Sequence, residues 1–213
     1  MNNNLDIIAW FFERLFRYRN RINILLFNPL VHIACKVKGV KIGKKVVFNG
    51  FPVVRRNENS KILIGNNCTF NSSKRSVKVG LEKRCTFVTL RKEAKIIIGN
   101  KSGGSGVTLL AALNIGIGNN VMIGAHTMLI DNDFHHADPG RRSQSADSPA
   151  RPIIIEDNVF IGTNCMILKG VTIGENSVIG ANSVVINNIP RNSIAIGNPC
   201  KVVIIKNWVT TSK

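Results

Sequence analysis

The 213-residue sequence predicts an all-β fold, a parallel β-helix wound from six-residue units. A repeated aliphatic residue, a small residue at fixed distance from it, and the Gly and Asn between them predict it. Ile117, Ile123 and Leu129 recur at every sixth position, and Ile155, Ile161, Ile167, Ile173, Ile179 and Val185 resume the count. Glycine follows at Gly118, Gly124, Gly162, Gly174 and Gly180. Four residues after the aliphatic stands a small or β-branched residue, among them Val121, Val159, Cys165, Ser177 and Ser183, each with Asn before it. A period of six cannot be an amphipathic helix, whose period is 3.6. It fits short stacked strands with turns at regular intervals, each unit supplying one inward aliphatic. Gly and Asn are expected at the turns, where the backbone conformations are ones that other residues tolerate poorly.

The chain divides in order into a helical segment (1–35), the β-helix (36–205) and a short tail (206–213). Within the first, "LDIIAWFFERLFRYRNR" (residues 5–21) has the pattern of a helix of about four turns. Leu5, Ile7, Ile8, Phe11, Phe12, Leu15, Phe16 and Tyr18 gather on one half of the wheel, and Asp6, Glu13, Arg14, Arg17 and Arg21 on the other. Trp10 falls among the polar residues and Arg19 among the apolar ones. Two readings stand side by side: the helix lies in a membrane interface, or it packs on the β-helix or a neighbouring subunit. His32, inside the apolar run "NPLVHIACKV", is expected to be structural. Early coils are irregular but recognisable at Ile42-Gly43, Ile64-Gly65, Val79-Gly80 and Ile98-Gly99. About seven coils are expected, with a small break over residues 101–114.

Charge is unevenly spread. Residues 1–100 hold 20 Lys and Arg against 5 Asp and Glu, whereas residues 101–213 hold 9 against 7. The basic early half suits anionic lipid. Nucleic-acid binding is not expected, because no zinc-finger, RRM or KH pattern is present and the aromatics do not alternate with the basic residues. There is no apolar run of 18 residues to span a bilayer and no signal-peptide pattern. Five cysteines without a CxxC spacing read as packed thiols in a reducing compartment. These features point to a cytoplasmic protein, with a peripheral place at the inner face of a membrane as one option.

One stretch breaks the repeat. Residues 131–152 form a polar loop that places His135 and His136 beside Asp131, Asp133 and Asp138. Histidine is the side chain best suited to proton transfer near neutral pH, and a loop can carry it off the flat face of a coil into a cleft. Asp131, Asp133 and Glu156 can each orient the imidazole, and Asp133 is preferred. A metal is not expected, because adjacent residues rarely supply two ligands to one ion.

"DNDFHHADP" (131–139), "ARPIIIEDNVFIGTNCMILKGVTIGENSVIGANSVV" (150–185) and "NIPRNSIAIGNPCKVV" (188–203) resemble the hexapeptide-repeat acyltransferases. The likeness is greatest to the maltose, galactoside and surface-polysaccharide O-acetyltransferases. The resemblance implies a left-handed β-helix, a homotrimer with its site between subunits, and acetyl-CoA as cosubstrate. It makes His135 the general base that takes a proton from an acceptor hydroxyl. His136 falls where relatives often have proline and is expected to be a bystander or an acceptor contact. Thr163 sits where a backbone N–H points at the thioester oxygen, and Ala181 where the pantetheine arm passes close to the backbone. A Thr-Lys pair that meets coenzyme A phosphate in relatives is Ile186-Asn187 here, so Lys201 and Lys206 are proposed in its place. Phe160 stands where relatives commonly have Trp. Arg141, Arg142 and Arg151 bracket the loop and can hold an anionic acceptor, meet a neighbouring subunit or solubilise the loop.

The expected function is therefore acetyl-CoA-dependent O-acetylation of a sugar hydroxyl in surface-polysaccharide biosynthesis. Same-fold alternatives are N-acetylation of a nucleotide-linked amino sugar and serine O-acetylation. Their usual extra N-terminal domains are not seen in this sequence. A non-enzymatic β-helical scaffold that binds polyanions is the remaining alternative.

Overall fold

The computed structural model describes residues 10, 11, 14, 24–74, 76, 77 and 80–205. A helix over residues 24–37, called α1 here, leads into six complete coils of three strands each among the described residues. Coil 1 contains β1 (Val40–Ile42), β2 (Val47–Asn49) and β3 (Val53–Arg55), and coil 2 contains β4 (Lys61–Ile64), β5 (Thr69–Asn71) and β6 (Thr86–Thr89). Coil 3 contains β7 (Lys95–Ile98), β8 (Gly103–Ser105) and β9 (Thr108–Ala111). Coil 4 contains β10 (Asn114–Ile117), β11 (Met122–Ile123) and β12 (Met128–Ile130). Coil 5 contains β13 (Ile153–Ile155), β14 (Phe160–Ile161) and β15 (Met166–Leu168). Coil 6 contains β16 (Thr172–Ile173), β17 (Val178–Ile179) and β18 (Val184–Val185). Equivalent strands stack in parallel as three sheets, forming a left-handed β-helix. β19 (Ser193–Ile196) extends the second sheet, and β20 (Lys201–Ile205) closes it antiparallel. The last turn of the stack is thus incomplete, which leaves six full coils where about seven were expected.

The six-residue period has a direct physical cause. Ile117, Ile123, Leu129, Ile155, Ile161, Ile167, Ile173, Ile179 and Val185 are each at most 4% exposed. They form interior columns, as in the register Ile117↔Ile155↔Ile173. In the early coils aromatic rings fill the same core. Phe48 stacks on Phe70 at 5.8 Å, and Phe87 meets Phe70 edge-on at 5.1 Å. Each ring takes one inward position of the second or third sheet, while the first sheet keeps its aliphatic column through Ile42, Ile64, Ile98 and Ile117. All five cysteines are buried and unpaired, and burial pushes the Cys35 thiol up to about 11.

Turn residues serve two distinct purposes. Asn120, Asn158, Asn164, Asn176 and Asn182 all take φ between +54° and +59°, as the pattern implied. The recurrent glycines after the aliphatics do not have positive φ. They are needed for space: a Cβ on Gly124 would lie 2.4 Å from the Gly162 carbonyl carbon, and one on Gly162 would lie 2.5 Å from the Ala181 nitrogen. The stretch 101–114 is likewise not a break. It contains β8 and β9, in register with their neighbours. Its Gly-Ser composition reflects crowding, since a Cβ on Gly103 would approach the Thr69 carbonyl oxygen to 2.1 Å.

α1 caps the open end of coil 1. Val31 and Cys35 are buried against it. Asn28 bonds both Val46 and Phe48 backbones, at 3.3 and 2.9 Å, and His32 Nε2 lies 2.8 Å from the Val46 carbonyl, which confirms its structural role. Within residues 5–21 only Trp10, Phe11 and Arg14 are described. They are helical and exposed, with the Arg14 guanidinium 4.9 Å from the Trp10 ring centroid. The rest of that segment, Val79 and Lys206 lie outside the described residues.

The interior column makes a sharp prediction. Leu129→Ala, at a fully buried site in mid-stack, should lower unfolding free energy by about 2–5 kcal/mol. Met122→Ala, at a 64% exposed site, should change it by less than about 0.5 kcal/mol. Denaturant titration of the two variants checks the contrast.

Candidate active site

The loop leaves the stack between β12 and β13 and returns in register. Ile117 and Ile155 pair across it although 38 residues separate them, against 18 between Ile155 and Ile173. About twenty residues are therefore added without disturbing the coils. Their base is closed by backbone: Asp133 N–H donates to the Pro149 carbonyl at 3.0 Å, Asn132 bridges Ala150, and Arg151 N–H donates to the Asp131 carbonyl at 2.9 Å.

Side chains fix that base to the coils. Asp131 is fully buried and accepts from the backbone N–H groups of Ala112, Leu113 and Asn114 at 2.6, 2.8 and 2.8 Å. Burial raises its pKa, and the three donors and Arg91 act in the opposite sense. Arg91 reaches across to donate to the Ser148 carbonyl and to its hydroxyl at 3.1 Å. On the other arm Asp133 pairs with Lys169 through both carboxylate oxygens.

The tip is closed by a second cluster. His136 is 9% exposed, and its Nε2 lies 3.0 Å from Asp147 Oδ1. Arg141 donates to the other Asp147 oxygen at 3.0 Å. His136, then Arg141, hold the Asp147 carboxyl below its ordinary pKa. The pairing therefore operates above the usual carboxylate range and is lost as pH falls through the depressed value. His136, expected to be a bystander or an acceptor contact, is here a buried partner of the loop's own acid. Arg141 is committed to the same acid. Two short 3-10 turns, Pro139–Arg141 and Ser145–Asp147, carry these residues, the first capped by Asp138 accepting from Gly140 N–H at 3.0 Å.

His135 is the residue this framework presents. It is exposed, and it follows Phe134, which is held at φ +59°, a conformation costly for a bulky side chain and typical of functional sites. His135 Nδ1 lies 3.0 Å from the Arg142 carbonyl oxygen. That oxygen can only accept, so Nδ1 carries the proton. In the neutral ring Nε2 then keeps its lone pair, the form in which an imidazole acts as base. None of the three expected orienting carboxylates performs this task. Asp131 serves the backbone and Asp133 serves Lys169. Glu156 is bound by Arg191 at 2.8 Å and by the Glu175 N–H at 2.9 Å, with its pKa lowered chiefly by Arg191. Asp133, the preferred candidate, points instead to Lys169, which follows β15 on the next coil. Arg142, a backbone acceptor with no signature in the sequence, orients the ring.

Away from the loop, a shallow groove runs over the second sheet, lined by Asn71, Lys101, Ser105, Met122 and Phe160. Phe160 is 42% exposed there and stacks in register with Met122. At one corner the turns Gly124-Ala125, Gly162-Thr163 and Gly180-Ala181 lie on top of one another at contact distance. The backbone N–H groups of Thr163 and Ala181 donate to no acceptor among the described residues. The two nitrogens belong to turns stacked directly on one another. Lys201 is exposed at the start of β20, and Arg151 lies against Gly170, so that a Cβ there would come 3.0 Å from its Nε.

Residues 152–187 match a family model described as the hexapeptide repeat of succinyl-transferase. A galactoside O-acetyltransferase from Lactococcus lactis subsp. lactis (strain IL1403) is 42% identical over 96 residues, 45% of this chain and 45% of that protein. The matched part spans less than half the length of the first curated relatives. Among solved structures, the polySia specific acetyltransferase NeuO is 29% identical with a TM-score of 0.52, over 82% of this chain and 79% of that one. A hexapeptide-repeat containing acetyltransferase from Vibrio cholerae covers 97% of this chain and 95% of its own, with a TM-score of 0.54 and 24% identity, a likeness of fold alone. Repeat, coil geometry and relatives agree: the chain carries the hexapeptide repeat and is similar, over the lengths given, to hexapeptide-repeat acetyltransferases.

Proposed function

We propose that the protein is an acetyl-CoA-dependent O-acetyltransferase that modifies a sugar hydroxyl during surface-polysaccharide assembly. One observation carries the reading: an exposed imidazole, His135, with Nδ1–H tied to a carbonyl and the Nε2 lone pair free. In this role Nε2 takes the proton of the acceptor hydroxyl as its oxygen bonds to the acetyl carbon, and returns that proton to the departing thiolate. The acetyl thioester, as cosubstrate, supplies the electrophilic carbonyl. The free N–H of Thr163 is a suitable donor to its oxygen. The bare backbone at Ala181 leaves room for an extended arm. Lys201, exposed at the start of β20, is a cation suited to phosphate. A sugar acceptor is supported by the 42% identity to the galactoside O-acetyltransferase, and a polymeric glycan by the likeness to the polySia specific enzyme. We read the working unit as a homotrimer in which the loop of one subunit faces the groove of the next, with Phe160 on the acceptor side.

Four expectations follow from this reading. His135→Ala should reduce turnover by about a hundredfold or more with little change in KM for acetyl-CoA. His136→Ala acts only through the loop and should cost about tenfold, with faster tryptic cleavage at Arg141 and Arg142. Equal losses in steady-state assays of the two variants would remove His135 from its role. Ala181→Phe should raise KM for acetyl-CoA about tenfold or more by filling the approach to the backbone, while the turnover at saturation stays near normal. Light scattering at micromolar concentration should return the mass of three chains; an active monomer would defeat the intersubunit arrangement.

A further inference from the structure

α1 is apolar on both of its faces. At 100° per residue, Val31 and Cys35 turn toward coil 1, and Leu26, Leu30, Ile33 and Val37 gather within about 60° on the opposite side. Those four are 62%, 51%, 58% and 83% exposed. Residues 24–35 contain no Asp, Glu, Lys or Arg. A capping helix in water normally turns a polar face outward. A contiguous apolar stripe in that position marks an interaction surface, whereas scattered exposed residues would not. At the start of the helix Ile24, Phe27 and Phe51 line an apolar cleft of about 280 Å³.

The surroundings of the stripe specify what fits it. Over residues 24–60 there are seven basic residues and one acidic residue. Lys36, Lys41, Lys44, Lys45 and Arg55 are exposed and have no ion pair among the described residues. The one acid, Glu58, is already paired with Lys92 at 2.6 Å. A second copy meeting this end of the molecule would bring the same cations against these, an unfavourable juxtaposition. An anionic lipid headgroup layer is complementary to the cations, and the acyl region beneath it is complementary to the stripe. We propose that the outer face of α1, with the basic first coil around it, is a docking surface for an anionic lipid bilayer. The surface lies at the end of the β-helix remote from β19 and β20 and does not depend on the acyltransferase reading.

Flotation of the full-length protein with two vesicle types tests it, phosphatidylcholine alone and phosphatidylcholine with phosphatidylserine. Binding is expected to the anionic vesicles only, with release as salt shortens the range of charge attraction from about 8 Å to about 3 Å at molar ionic strength. Leu30→Asp/Ile33→Asp should reduce the vesicle-bound fraction at least tenfold. Lys41→Gln/Lys44→Gln/Lys45→Gln should do the same on anionic vesicles. Both sets change exposed positions, so melting curves should be unmoved; if the aspartates unfold the chain, Leu30→Ser/Ile33→Ser gives the same reading. A wild-type chain that ignores anionic vesicles, or an α1 variant that binds them undiminished, overturns the proposal. So does loss of oligomeric mass in the α1 variant without vesicle binding by the parent, which would make the stripe a contact between subunits. Acetylation of a water-soluble acceptor should be equal in all variants, whatever the vesicle result.

Discussion

The close stacking of one coil on the next governs this molecule. Equivalent strands in successive coils share backbone hydrogen bonds, so the rise per coil is fixed near the strand spacing of about 4.8 Å. Inward aliphatics must then touch in columns, and turn backbones must meet at contact distance. The glycines after the aliphatics are a consequence of that approach: a Cβ on Gly118 or Gly174 would come within 2.5 Å of the turn above it. Asn side chains complete the corner. Asn120 donates to Asn158, Asn158 to Asn176 and Asn176 to Asn192, at 3.0 to 3.2 Å. One side chain thus satisfies the positive φ of its own turn and bonds the neighbouring one.

The same constraint explains how a long loop can be rigid where it matters. The coils on either side need only the two ends of the loop to be close. Those ends are fixed by Asp131, whose carboxylate holds three backbone donors at the turn from β9 into β10, and by Arg91 on Ser148. The tip is then free of stacking demands and is organised by its own charges, His136, Asp147 and Arg141. His135 stands between these two anchored regions. Its position is set from both sides, and its tautomer is set by the Arg142 carbonyl.

Much of this was legible in the sequence, for a reason specific to the fold. A repeat states the same constraint nine times, so the inward residues and the boundaries of the loop at 131–152 could be read directly. His135 stood out because it interrupts that repeat. What could not be read was the distribution of partners. Asp131, Asp133 and Glu156 are chemically equivalent as candidates, and only the fold assigns each to a different donor. Arg142 contributes a carbonyl that every residue possesses. α1 falls within the helical segment expected over residues 1–35, but its outward apolar face went unread beside the more conspicuous pattern of residues 5–21. In the early coils Phe48, Phe70 and Phe87 stand at inward positions that aliphatics hold later, which blurs the period without changing the architecture.

A molecule assembled in equal steps can be lengthened only by whole steps. Three coil-to-coil rises separate the first coil from the fourth, from which the loop departs, so the loop root stands roughly 14 Å above the capped end. No surface substitution can tune that height, because it is set by backbone spacing. Evolution or design could alter it only by inserting or deleting a complete turn of the stack, in increments of about 5 Å. The β-helix is in this sense a ruler with coarse graduations, and the place of its loop along the stack is as discrete a character as the residues the loop carries.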